Sequence, residues 1–460
     1  MSVKKKKGQI LSGTKGKRTG GQLLAAAIVL TMAAGCSGAG RTDSDIASGD
    51  DKARPVQEQA EEVNNTDPLT EQTFQASRDI LKEAGDEFHG GRRTEMEKGY
   101  RLPLDDAVKE EAETDCKAAM EKIGAIYREA NKGDTLNPIL SGDAISQMYT
   151  ALQENGFPVI AAGYYYRMGN YEKVDAFLTG CQKGEAGSVT LYKINTGGGI
   201  NRSQFMFDGT KMYVVDTAAS WNQNEQPHVT SSTHTRLKSW KYTPKGWFAY
   251  EYSVPEFPEV TEIVNGNYMI RVRPMAEEYI KLAENYLLPI GYQGNNLFRT
   301  NWGAGHMEEL DYNGLYEYLY EIRHQEAFGP QRNLDGIPKE EFENMMTAYL
   351  PVTAAELSRY AVFDEGKGEY VWKRLGPLTY KANNFSSSIP EVVQTEENPD
   401  GTISVSIDVV CIPRGEDALM RHVLTLELPD NGGVRFLGNQ VTEEAPGEIT
   451  EYHYRLREHP

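Results

Sequence analysis

The sequence predicts an α+β fold, with helices packed on antiparallel sheets and arranged as two helix-then-meander units. Apolar residues recur at helical spacing as far as Lys183 and again after Pro274. Each helical stretch is followed by short alternating or β-branched segments, the first over 188–272 and the second over 369–437. Tight turns join these segments, and such connections are too short for parallel crossovers. The pattern therefore predicts antiparallel strands.

The first 35 residues have the organisation of a bacterial export signal. Seven Lys and Arg residues and no acidic residue occur within the first 18 positions, a composition that keeps a segment on the cytoplasmic side. The apolar run Leu23–Ala34 is 12 residues long. A helix needs about 20 residues to span a bilayer, so this run is predicted to be the apolar core of a signal peptide over residues 1–35.

The signal ends in Ala33-Ala34-Gly35-Cys36, which resembles the bacterial lipobox, with Ala33 where Leu is commoner. The resemblance implies that Cys36 carries a diacylglycerol and anchors the mature protein to the outer face of the cytoplasmic membrane. The alternatives are an ordinary secretory signal with a chance cysteine and an uncleaved anchor. Residues 36–70 are small and polar, so they are predicted to form a disordered tether.

The mature chain is strongly acidic. Without the 7 basic residues of the signal, 41 Lys and Arg face 67 Asp and Glu, a net charge of −26. Such a surface is repelled by phosphates, so no nucleic-acid partner is expected. Solubility explains the acidity more simply than recruitment of cations or basic partners does.

Residues 71–183 are predicted to form a helical region, with a long charged helix through Ala130 and shorter helices from Asp143 to Asn155 and from Tyr171 to Cys181. Three cysteines remain besides Cys36, so at most one disulfide can form. Cys116 and Cys181 are the expected pair, and buried free thiols are at least as well supported.

Residues 184–274 are predicted to be an antiparallel β domain. Gly197-Gly198-Gly199 is interpreted as a hairpin turn, because a phosphate loop needs a helix directly after it and a strand pattern follows here. Trp240, Tyr242 and Trp247 form a possible ligand shelf on which a sugar ring or peptide could stack. The alternative, cross-strand packing under helices, is favoured.

Residues 275–350 are predicted to be a helical connector, and residues 351–460 a C-terminal α+β domain. The motifs G-x-S-x-G and H-E-x-x-H do not occur, and no cysteine or histidine pair has metal-ligand spacing. His306, near Glu308 and Glu309, is a weak candidate cation ligand. No catalytic residue, cofactor or metal is therefore predicted.

These observations favour a non-catalytic lipoprotein that binds or scaffolds a protein or glycan partner at the cell surface. One rival is a glycan or cell-wall hydrolase using carboxylates such as Glu251, Glu256 or Glu262, which would need two carboxylates about 5 to 9 Å apart in one aromatic cleft. A second rival is the solute-binding lipoprotein of a transporter. It would need two lobes with parallel sheets, which the hairpin-rich pattern argues against.

Four stretches of the exported part carry a resemblance to a known family: 286–298, 315–319, 359–364 and 370–372. They resemble a family of uncharacterised lipoproteins from anaerobic Gram-positive bacteria, and the likeness covers most of the exported region. The resemblance implies a Gram-positive cell, consistent with the lipobox. It implies no activity and no site residues.

Overall fold

In a computed structural model of the chain, the structure describes residues 95–133, 137–261, 264–329, 336–375, 384–430, 432–445 and 452–456. The predicted signal peptide, Cys36, the tether and residues 71–94 of the predicted helical region lie outside these residues. The described residues other than 256–261 belong to one compact unit.

Helices occur in both regions where the sequence has helical spacing. They are α1 (Glu95–Lys98), α2 (Asp106–Glu129), α3 (Gly142–Glu154), α4 (Glu172–Gln182), α5 (Glu277–Leu282), α6 (Tyr312–His324), α7 (Lys339–Tyr349) and α8 (Ala354–Tyr360). A π-helical turn, Ala283–Leu287, continues α5, and 3₁₀ turns cover Asn384–Ser387 and Ile412–Arg414. Side chains cap several starts: Asp105 accepts from the Ala107 backbone, and Thr353 and Glu356 form a capping box.

The strands fall into three sheets. The first contains β1 (Val159–Ala161), β2 (Gly187–Ile194), β3 (Ile200–Phe207), β4 (Met212–Trp221), β5 (Pro227–Tyr242), β6 (Trp247–Tyr252) and β7 (Asn267–Arg271), in that order. The others are built from β8 (Trp302–Gly303), β9 (Gly336–Pro338), β10 (Phe363–Asp364), β11 (Glu369–Val371), β12 (Ile389–Glu397), β13 (Ile403–Cys411), β14 (Glu416–Glu427) and β15 (Arg435–Glu443). Their orders are β12-β13-β14-β15-β8 and β10-β11-β9. The predicted α+β class is confirmed.

One pairing departs from the predicted antiparallel pattern. The segment around Val159–Ala161 contains a strand, β1, which pairs with β2 in parallel. Helix α4 lies between them and supplies the crossover that a parallel pair requires. The short turns after residue 188 exclude parallel pairs among the strands that they join. They say nothing about β1, which lies before residue 188.

The first sheet has a helical cover on each face. On one face, α2 and α3 pack through Met120, Ile123 and Met148 against Ile194 and Ile200. On the other face, α4 packs on a cluster of strand residues. The sheet therefore has two separate apolar cores, one on each side.

The first sheet is strongly curled. Phe205 of β3 contacts Phe248 and Tyr250 of β6, with ring centroids 5.2 and 5.4 Å apart. In a flat sheet, three strand spacings would separate these residues by about 14 Å. The face covered by α4 is therefore concave.

The second half has one large core. The helices from α5 to α8 and the five-stranded sheet bury their apolar side chains in the same cluster. Strand β8, within the predicted connector, also joins the edge of this sheet by pairing with β15. Connector and C-terminal residues thus share a core, and the boundary near residue 350 stays a prediction.

Candidate functional site

The concave face of the first sheet is only partly covered. Helix α4 packs over Leu191, Phe205 and Val214, which are buried. Because side chains alternate along a strand, Lys193, Ser203 and Asp216 lie on that same face, beyond the covered part. We call this open part the recess; its side chains come from Lys193, Asn201, Ser203, Asp216, Tyr252 and Tyr268.

Asp216 lies at the centre of the hydrogen bonding in the recess. Its two oxygens accept from the Ser203 hydroxyl at 2.5 Å and the Tyr252 hydroxyl at 2.8 Å. Burial raises the pKa of this carboxyl, and the two hydroxyl donors only partly offset that effect. No cation pairs with Asp216 among the described residues. Asp216 as a residue is nevertheless only half-buried, so solvent reaches part of it.

Three tyrosines pack beside this carboxyl. The ring of Tyr252 lies 5.4 Å from that of Tyr250 and 5.0 Å from that of Tyr268. Burial and the nearby Asp216 raise the pKa of Tyr268. The recess thus joins a carboxyl to aromatic rings and to hydroxyl groups that can donate or accept.

Lys193 supplies the cation of the recess. Its side chain is exposed, yet desolvation by surrounding protein atoms lowers its pKa. A side chain on the concave face of the first sheet can be both open to solvent and surrounded by protein atoms. Within the described part of the chain, Lys193 has no ion-pair partner.

The three residues of the predicted shelf do not share an exposed surface. Trp240 is half-buried and packs on Phe207 and Phe248, while Tyr242 is buried in the same cluster. Trp247 is buried in the other half's core, where its indole nitrogen donates to Glu391 at 2.9 Å. All three side chains therefore pack within the protein. Trp240 also borders a shallow groove, and binding of a ligand there stays a prediction.

Of the other sequence candidates, Glu251 does not face the recess, and Glu256 is exposed. Glu251 alternates with Tyr250 and Tyr252 and accepts from Lys238 at 3.0 Å. Glu262 lies outside the described residues, and His306 is in a turn closed by a backbone bond to Gly303. Among the described residues, no group of three or more His, Cys, Asp or Glu side chains could hold a metal ion.

The two predictions about cysteines and glycines have clear outcomes. Cys116, Cys181 and Cys411 are free and buried, so the free-thiol alternative is confirmed. Cys116 and Cys181 cannot pair because they belong to the cores on opposite faces of the first sheet. Gly197–Gly199 is a hairpin turn, as predicted: Gly198 has φ +75°, and a Cβ there would lie 2.7 Å from Leu140.

In a second polar cluster, which we call the ion-pair network, each of two carboxyl groups contacts two cations. Glu391 accepts from Lys245 at 2.9 Å and from Arg271. Asp408 accepts from Lys245 at 2.8 Å and from Arg421 at 3.1 Å. Glu391 and Asp408 are 2% and 7% exposed, so solvent hardly reaches them. The network joins the β5–β6 turn to β12 and β13 and has the character of a structural link.

A buried histidine forms a third polar group, in the second half. Asn439 donates to the Thr300 carbonyl at 2.8 Å, so its oxygen accepts from His422 Nδ1 at 2.6 Å. Nε2 of His422 then accepts from the Tyr292 hydroxyl at 2.9 Å. Burial lowers the pKa of His422 to about 4, so the ring is neutral at pH 7. His422 is 1% exposed and belongs to the core.

The sequence contains a signal for the recess that motif searching does not use. Asp216 follows Met212 and Val214 at the same alternating positions, and Ser203 precedes Phe205 and Phe207. A polar residue in the register of buried apolar ones marks where a covered face ends. That signal locates the rim of the core, but it does not show that Lys193 and Asp216 share a depression.

Comparison with known proteins places the chain in a family. A family model described as "Family of unknown function (DUF6070)" matches residues 109–455. The chain belongs to this family. The match includes both large sheets, the recess and all four stretches that carried the resemblance, so an uncharacterised domain family is confirmed. Lipoprotein character and a Gram-positive source stay predictions for this member of the family.

No curated protein and no solved structure matches the chain. Among the described residues, no helix is both long and apolar enough to cross a membrane.

Proposed function

We propose that the protein is a lipid-anchored extracytoplasmic binding protein that holds a ligand in the recess and carries out no chemistry on it. One observation carries the binding role: Asp216 is a half-buried carboxyl beside three tyrosines on the concave face, with no cation to pair with it among the described residues. A buried charge without a counter-ion is unfavourable. Carboxyl groups with a perturbed pKa cluster at functional sites, where a ligand can supply the missing counter-ion.

The recess fits binding better than glycan hydrolysis. Hydrolysis of a glycosidic bond requires two carboxyl groups about 5 to 9 Å apart. Of the carboxyl groups on β4 and β6, Asp216 faces the recess, while Glu251 lies on the other face of β6 and pairs with Lys238. The transporter alternative is not favoured either, because only β1 and β2 pair in parallel among the described strands.

The anchoring part of the proposal rests on the sequence around Cys36, and labelling tests it directly. The full-length chain and a Cys36→Ser variant would be expressed in a Gram-positive host with an alkyne fatty acid. We expect the label and the membrane fraction to contain the wild-type chain and not the variant. A variant that stays labelled and membrane-bound would contradict lipid anchoring at Cys36.

The binding part is tested by thermal-shift screening of the full-length chain against sugars, amines, amino acids and short peptides. We expect some compounds to raise the melting temperature of the wild type, because a ligand that binds only the folded state stabilises it. Those shifts should vanish in Asp216→Asn and persist in Glu121→Gln, a change at an exposed position on α2. Shifts that persist in Asp216→Asn would place binding elsewhere.

A further inference from the structure

The recess has two ends of opposite charge. Asp216 lies at one end, with the Tyr252 and Tyr268 rings beside it. Lys193 lies on the same concave face in β2, where its neighbour in the register of β3 is Asn201. Neither charged group has a counter-ion among the described residues. Protein atoms crowd both groups, so both charges are partly desolvated.

Strand register sets the distance between these two ends. Lys193 pairs with Asn201, and Asn201 pairs with Ala218, which is two residues from Asp216 in β4. On a flat sheet, two strand steps of about 4.8 Å and two residues of about 3.4 Å would place the Cα atoms of Lys193 and Asp216 about 12 Å apart, and the curl of this sheet shortens that distance. A ligand that bridges both ends therefore needs charged groups separated by less than about 12 Å.

The chemistry of the ends defines the ligand. A carboxylate beside aromatic rings suits an ammonium group, which gains from both the charge and the faces of the rings. A simple amine would leave Lys193 unpaired, and a neutral polyol would leave both charges unpaired. A zwitterion neutralises both groups at once.

We infer that the recess binds a short zwitterionic peptide, its terminal ammonium at Asp216 and its terminal carboxylate at Lys193. An extended chain spans about 3.3 to 3.6 Å per residue, so two or three residues fit between the two ends. This inference rests on the proposed binding function and specifies its ligand class.

Calorimetric titration of the full-length chain with trialanine tests the inference. Three further peptides have the ammonium acetylated, the carboxylate amidated, or both ends blocked. We expect each block to weaken binding to the wild type about tenfold or more, because each removes a charge-assisted hydrogen bond. Asp216→Asn should lose its sensitivity to acetylation but keep its sensitivity to amidation, and Lys193→Gln should show the converse.

Glu121→Gln and Lys122→Gln, which change exposed charges on α2, are the matched controls and should bind like the wild type. Equal binding of free and doubly blocked peptides would overturn the inference, and so would an absence of binding at millimolar trialanine. If Asp216→Asn does not fold, as judged by circular dichroism, Asp216→Ser removes the same charge and should likewise lose its sensitivity to acetylation.

The outcome also separates this inference from the proposed function. If trialanine fails but another screened compound stabilises the protein through Asp216, the ligand class is wrong and the binding role stands. If neither trialanine nor any screened compound binds through Asp216, the inference and the binding role both fail.

Discussion

The recess and the ion-pair network differ in the partners that they give to their carboxyl groups. Glu391 and Asp408 are almost inaccessible and contact Lys245, Arg271 and Arg421. In the recess, Asp216 is more accessible and has only hydroxyl partners among the described residues. In the network, each carboxylate has counter-ions from the protein itself. In the recess, the charged groups have none among the described residues. Pairing, rather than burial alone, distinguishes a structural carboxyl from a candidate binding carboxyl.

The contrast predicts opposite effects on stability. Removing a cation from the network leaves a buried carboxylate with less compensation, which destabilises the fold. Removing the charge from the recess relieves an unfavourable charge, which stabilises the fold while removing the binding group.

The largest effect is expected at Arg271. Arg271→Leu removes one of the two cations that contact Glu391, which is 2% exposed. Breaking such a buried pair should lower the free energy of unfolding by about 3 kcal/mol. Urea unfolding of the wild type and the variant measures this difference in the free energy of unfolding. The control is Arg435→Leu, whose pair with Glu427 is exposed and should cost less than about 1 kcal/mol. Equal losses in the two variants would show that the network does not act as a buried link.

The next effect is a dependence of stability on pH caused by His422. Its pKa is about 4 when folded and near 6.5 when unfolded. Between these values the unfolded chain binds a proton that the folded protein does not. The free energy of unfolding should therefore fall as the pH drops from 6.5 to 4, by about 3 kcal/mol from this residue. The stabilisation is fully present above pH 6.5.

Carboxyl groups titrate in part of the same range, so a variant must isolate the histidine. His422→Gln cannot take up the proton, and its stability should fall less than that of the wild type between pH 6.5 and 4. Parallel pH profiles for the two proteins would mean that His422 is not kept neutral by burial.

A smaller effect of opposite sign is expected at Asp216. Because its folded pKa is raised, ionisation costs stability as the pH rises through that value. Asp216→Asn should therefore be more stable than the wild type at pH 7, by about 0.5 to 2 kcal/mol. The advantage should disappear below pH 3.8, where both states of the wild type hold the proton. A loss of stability at pH 7 would make Asp216 a structural residue like Glu391.

The smallest effect is expected at the other end of the recess. Lys193→Met should change the free energy of unfolding by no more than about 0.5 kcal/mol, because Lys193 is exposed and has no ion pair among the described residues. Lys245→Met is the comparison variant, because Lys245 contacts both Glu391 and Asp408. It should lower the free energy of unfolding several times more than Lys193→Met changes it. Both are read from urea unfolding. Similar losses in the two lysine variants would erase the distinction between recess and network.

Local patterns were enough to predict most of the elements. The helices α3 and α4 lie within one residue of their predicted ends, and the strands β2 to β7 lie inside the predicted β domain. Helical and alternating spacings are properties of neighbouring residues, so they can be recognised in the sequence. Strands β1 and β8 were not predicted. Each is only two or three residues long, and its pairing depends on a partner far away in sequence.

The recess could be predicted only in part. Asp216 and Ser203 interrupt apolar registers, but their contact with Tyr252 depends on the curl of the sheet. The network was harder still to predict, because nothing near Glu391 in sequence indicates that Arg271, 120 positions earlier, is its partner. Pairs of charges brought together by tertiary packing leave no periodic trace.

The burial of the three thiols has a practical consequence for handling the protein. Burial raises the pKa of Cys116 to about 12 and that of Cys181 to about 11, and it raises the pKa of Cys411 as well. The thiolate is the reactive form, so at neutral pH these sulfurs are nearly inert toward alkylating reagents. In a chain prepared without its lipid, a maleimide dye should therefore attach preferentially at Cys36. The native sequence then already contains a single-site fluorescent handle, remote from the recess in sequence, for following ligand binding in solution.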